Sequence, residues 1–88
     1  MERGLSENTL AAYRRDLSLY DEWLGEQTAE SLLTAGSSQI QSYLGLKLRQ
    51  GASPRSSARF LSAARSFYRW ALREGHIVED PTLRIESP

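Results

Sequence analysis

Apolar residues recur at spacings of three and four in three separate runs of the chain. In the first, Leu10, Tyr13, Leu17, Tyr20 and Leu24 share one face of an α-helix. The spacing predicts a helix from about Glu7 to Leu24. Ser6 serves as its N-cap, Glu7 sits at the positive end of the helix dipole, and Gly25 ends it. The second run, Ile40, Tyr43, Leu44 and Leu48 with Lys47 among them, predicts a helix over roughly Gln39 to Gln50, capped by Ser37 or Ser38 and closed by Gly51. Gly45 inside it costs up to about 1 kcal/mol relative to alanine. The third run is the strongest. Phe60, Ala64, Phe67 and Ala71 share a side, with Leu61 and Tyr68 beside them. Ser53-Pro54 supplies a helix start and Gly75 a stop.

Between the first two helices, residues 26–38 read as a connection anchored by Leu32-Leu33. Beyond Gly75, Asp80-Pro81 is a further helix-start pair, which predicts a single turn through Thr82 and Ile85. Ser87-Pro88 reads as the beginning of a linker. No strand pattern, repeat or low-complexity tract appears. The expected fold is all-α: a small helical bundle of three main helices plus a short fourth.

Eighty-eight residues, 40% of them hydrophobic, allow one small domain with a modest core. A chain of this size buries only about 60–65% of its unfolded surface, so its stability margin is expected to be thin. There is no apolar run long enough to span a membrane and no signal-peptide pattern, so a soluble, cytoplasmic protein without a membrane partner is expected. With no cysteine, disulfides and thiolate chemistry are excluded. His76 is the only histidine, which argues against a metal site. No phosphate-binding loop, nucleophile elbow or paired acids stand out, so neither a cofactor nor a small-molecule substrate is expected. Tyr13, Tyr20, Tyr43 and Tyr68, like Trp23 and Trp70, occupy packing positions.

Formal charge is zero, eleven basic residues against eleven acidic, but the distribution is uneven. Ten of the eleven basic residues are arginine, which suits planar, bidentate recognition. At about 100° per residue, Arg55, Arg59, Ser62, Ser66, Arg69 and Arg73 fall in one narrow stripe of the third helix, opposite its apolar side. No acid occurs from Ser53 to Arg73. Two readings compete for this stripe. Most charged helix faces are simply solvated, but they normally mix signs. A stripe of one sign, with small hydroxyl residues between the guanidinium groups, suits phosphates and base edges.

Several stretches together resemble a known family. They are Gly4-Leu5-Ser6-Glu7-Asn8-Thr9-Leu10, Ala12-Tyr13-Arg14-Arg15-Asp16-Leu17, Gly51, Ser56-Ser57-Ala58-Arg59, Leu61-Ser62-Ala63, Phe67-Tyr68, Arg73-Glu74-Gly75, Asp80-Pro81 and Ser87-Pro88. This ordered set resembles the core-binding domain of tyrosine recombinases, the bacterial Xer branch above all, over nearly the whole chain.

The resemblance implies a SAM-like helical bundle forming half of a clamp around a recombination-site duplex, with the first and third long helices facing the major groove. It implies two partners, double-stranded DNA and neighbouring protomers. Carried over by position, the DNA-facing candidates are Asn8, Thr9, Ala12 and Arg15 on the first helix. On the third they are Arg55, Ser56, Arg59 and Ser62, with Ser53 at its entrance. The family's catalytic Arg, Lys, His and Tyr residues lie in a second domain expected after residue 88. Residues 1–88 are therefore expected to be the DNA-binding portion, holding DNA at about micromolar affinity or weaker and cutting nothing. The alternative is a helical interaction module whose arginine stripe meets an acidic protein partner.

Overall fold

A computed structural model describes residues 6–86. The expected linker at Ser87-Pro88, and Gly4-Leu5 of the first resemblance motif, lie outside them. Three helices follow in order: α1 (Glu7–Gln27), α2 (Ser37–Arg49) and α3 (Pro54–Arg73). The described residues contain no strand.

Local chemistry sets most of the ends. The Ser6 hydroxyl accepts from the Thr9 amide at 3.1 Å and opens α1. Ser53 does the same for Ser56 at 3.1 Å and opens α3, with Pro54 in the first turn where its missing N–H costs nothing. The helices α2 and α3 end alike. Past each C-cap a glycine takes positive φ, +85° at Gly51 and +80° at Gly75. The residue after it then donates to a carbonyl five positions back, Ala52 to Lys47 at 2.9 Å and His76 to Ala71 at 2.8 Å.

Three expectations need correction. Gly25 does not end α1, which runs on to Gln27. The stop is Thr28, whose amide and hydroxyl both donate to the Leu24 carbonyl, at 2.9 and 2.7 Å, as its backbone turns extended. Neither Ser37 nor Ser38 caps α2. The cap is Gly36, whose amide donates to the Gln39 side chain at 2.7 Å. The short fourth helix is absent. Asp80 Oδ1 instead accepts from both the amide and the hydroxyl of Thr82, at 2.8 and 2.7 Å, and holds the segment in turns.

The core forms where the helices meet. Tyr20 of α1, Tyr43 of α2 and Phe60 of α3 contact one another with ring centroids 4.9–5.2 Å apart, in tilted or edge-on pairs. Leu24, Ile40, Leu61, Ala64 and Tyr68 pack around them. The Tyr68 hydroxyl donates to the Leu32 carbonyl at 2.6 Å and so fixes the α1–α2 connection. After α3 the chain doubles back. Thr82 and Ile85 are buried, and Arg65 donates to the Ile85 carbonyl at 2.7 Å. α1, at about 31 Å for its 21 residues, nearly matches the longest molecular dimension of 33 Å.

Candidate nucleic-acid interface

The third-helix stripe is exposed along most of its length. Arg55, Arg69 and Arg73 are open to solvent, and Ser62 and Ser66 are partly so. Arg59, one turn from the N-terminal end of the stripe, is held differently. Its Nε and Nη2 donate to the two carboxylate oxygens of Asp16 on α1, at 2.8 and 3.0 Å. Asp16 is 6% exposed, whereas the Arg59 side chain is 43% exposed. These hydrogen bonds, and behind them the carboxylate charge, raise the Arg59 pKa above an already high value.

The stripe lacks acid in its own sequence, but another helix brings one to it. Periodicity within α3 cannot register that. The signal was in α1, where Asp16 sits on the apolar face, three residues after Tyr13 and four before Tyr20. An acid at such a position needs a cationic partner.

The pair joins the two sets of candidate residues. Ala12 lies one helical turn before Asp16, and Arg15 adjoins it in sequence. Arg55 lies one turn before Arg59, and Ser62 nearly one turn after it. On α1, Asn8, Ala12 and Arg15 fall within about 60° of one another, and none of the three is buried. Thr9 is half-buried, and its hydroxyl accepts from Ser6 at 2.9 Å. Ser53 is exposed, Ser56 half-buried. The Ser53 oxygen accepts the Ser56 amide and so keeps its own proton to donate. Arg59 uses two of its five N–H groups on Asp16, which leaves three on a side chain that is 43% exposed. All nine candidates are thus accessible or partly so. One of them also fastens the two helices.

Among the described residues, the Tyr20 and Ser57 hydroxyls are buried without a hydrogen-bond partner. Burial raises the pKa of Tyr20 and Tyr43 and pushes Tyr68 up to about 12. His76 is exposed and lies against Trp70, ring centroids 4.9 Å apart. Among the described residues, no three or more His, Cys, Asp or Glu side chains gather to hold a metal ion, and no helix is long and apolar enough to cross a membrane.

Two capped helices clamped together by an ion pair, with a third closing the core behind them, define a small all-helical domain of the SAM-like kind. The chain belongs to the family of phage integrase N-terminal, SAM-like domains, whose model matches residues 1–75. Among curated proteins it is 48% identical over all 88 residues to the tyrosine recombinase XerD of Pseudomonas putida and to that of Staphylococcus haemolyticus. It is 42% identical to XerD of Staphylococcus aureus. All of this chain is covered in these matches, but only 29–30% of each relative, so it spans under a third of their length. No solved structure matches it.

Proposed function

We propose that this chain is the DNA-holding, core-binding domain of a site-specific tyrosine recombinase, acting in the cytoplasm. In this reading residues 1–88 grip one side of the recombination-site duplex through the major groove. Cutting and rejoining belong to residues outside this chain, and neighbouring protomers complete the assembly. The observation that carries the reading is the Asp16–Arg59 pair. It fixes α1 against α3, with the α1 candidates within about two turns before Asp16 and the α3 candidates within two turns of Arg59 on either side. Arg15 and Arg55, exposed and in no ion pair among the described residues, supply phosphate contacts that set register. Asn8, Thr9, Ser53, Ser56 and Ser62 supply short polar groups toward phosphates and base edges. Ala12 adds no bulk to hold the backbone away. Arg59, partly neutralised by Asp16, contributes orientation more than charge.

Fluorescence anisotropy with a labelled duplex tests this. Arg55→Ala and Arg15→Ala each weaken binding, and each reduces the slope of log K against log salt by about one. If both variants bind with the parent's affinity and slope, the reading is wrong.

A further inference from the structure

The contact with Asp16 divides the Arg59 guanidinium into two working edges. Asp16 occupies the side edge, made of Nε and Nη2, at 2.8 and 3.0 Å. The group is planar and its donors form a rigid fork. What remains is the end edge, one N–H of Nη2 and one of Nη1, parallel to each other and directed away from the aliphatic stem. Asp16 itself is buried, while the Arg59 side chain reaches solvent. The positions around the pair are small. Ser56 and Ser62 lie three residues to either side of Arg59 on α3, and Ala12 lies one turn before Asp16 on α1.

Two parts of a duplex present paired acceptors to such an edge: a phosphate group and the major-groove side of guanine. Charge separates them. The Asp16–Arg59 pair is formally neutral, and a phosphate on the end edge would repel the carboxylate already on the side edge. Guanine O6 and N7 carry no formal charge and meet no such repulsion. The other bases fit worse, because adenine and cytosine offer an amino donor there and thymine a single acceptor. Arg15 and Arg55, exposed and in no ion pair among the described residues, are the better phosphate partners.

We propose that Arg59 reads a guanine in the major groove through the end edge of its guanidinium, with Asp16 as the positioning residue that holds the fork for it. The inference rests on the DNA reading above and adds a base identity to it.

The test begins with selection of bound sequences from a pool of randomised duplexes by the full chain. One guanine position is expected to be enriched by the parent and lost in Arg59→Lys, which keeps the charge and gives up the fork. Anisotropy on the selected duplex then compares guanine with 7-deazaguanine, which lacks the N7 acceptor, at that position. The parent is expected to bind the modified duplex about fivefold more weakly, the scale of one lost hydrogen bond, and Arg59→Lys to bind both alike. Because this is a ratio within each variant, partial unfolding leaves it unchanged. Asp16→Asn is expected to shrink the ratio and to steepen the slope of log K against log salt by about one, as the guanidinium turns to phosphate.

A guanine preference that persists in Arg59→Lys, or a selected site with no Arg59-dependent guanine, overturns the proposal. So does an Asp16→Asn variant with the parent's ratio and slope. If Arg15→Ala and Arg55→Ala weaken binding while 7-deazaguanine costs the parent nothing, the proposal fails and the DNA reading stands. If no duplex is bound, both fail.

Discussion

The Asp16–Arg59 pair is lopsided, and the lopsidedness has measurable consequences. Asp16 is almost wholly buried, while the Arg59 head reaches solvent. Removing the carboxylate leaves a guanidinium that can rehydrate by a small rotation, so Asp16→Ala costs about 1 kcal/mol, the scale of an ordinary exposed pair. Removing the guanidinium leaves a buried carboxylate with nothing to meet its charge. Arg59→Ala therefore costs about 3 kcal/mol, the scale of breaking a buried pair. Urea denaturation of the two single variants reads the difference directly. A larger loss for Asp16→Ala than for Arg59→Ala would show that the pair is not held as described. This ordering also bears on DNA binding: a loss of affinity in Arg59→Ala would mix contact with unfolding, which is why Arg15 and Arg55 are the better probes. The stripe of α3 was legible in the sequence because helical periodicity is a property of one segment. The partner of Arg59 was not, because it arrives from 43 residues away.

Among the elements, glycine means different things at different places. Gly75 closes α3 at positive φ, a conformation that a Cβ strains, so Gly75→Ala destabilises by about 1 kcal/mol. Gly25 looks like the same signal in sequence, yet it lies within α1, and a Cβ built there meets nothing within 4 Å. Gly25→Ala is therefore stabilising, by up to about 1 kcal/mol. Thermal unfolding of the two variants is expected to move in opposite directions; a fall in both would mean that α1 does end near Leu24. The three apolar runs located all three helices, and the serine caps of α1 and α3 were readable because a hydroxyl bonding three residues ahead is local chemistry. The end of α1 and the tail were misread for the opposite reason. Thr28 competes for the Leu24 carbonyl, and Asp80 for the Thr82 amide, through side-chain bonds that spacing does not encode.

The whole molecule is held by one aromatic-centred core, and its tyrosines link stability to pH. Tyr68 is fully buried and its pKa is pushed up to about 12, against 10.0 in an open chain. Burial raises Tyr20 and Tyr43 as well. Above pH 10 the unfolded chain gives up these protons and the folded one keeps them, so the unfolded state binds fewer and stability falls as pH rises. The contribution is complete below pH 10 and is lost between about 10 and 12; for Tyr68 alone it amounts to about 2 to 3 kcal/mol. Tyrosinate absorbance and helical circular dichroism are expected to change together in this range. Tyrosinate forming for all four tyrosines while the helices stay intact would contradict the burial.

The same core presents α1 and α3 as one unit, and that joint presentation is the central claim. Backbone amide NMR spectra, recorded as duplex DNA is added to the isotope-labelled chain, test it most directly. Shifts are expected to gather at once in residues 8–15 of α1 and 53–62 of α3, with α2 and the tail after Gly75 little changed. Shifts confined to one of those two helices, or centred on α2 or the tail, would contradict it.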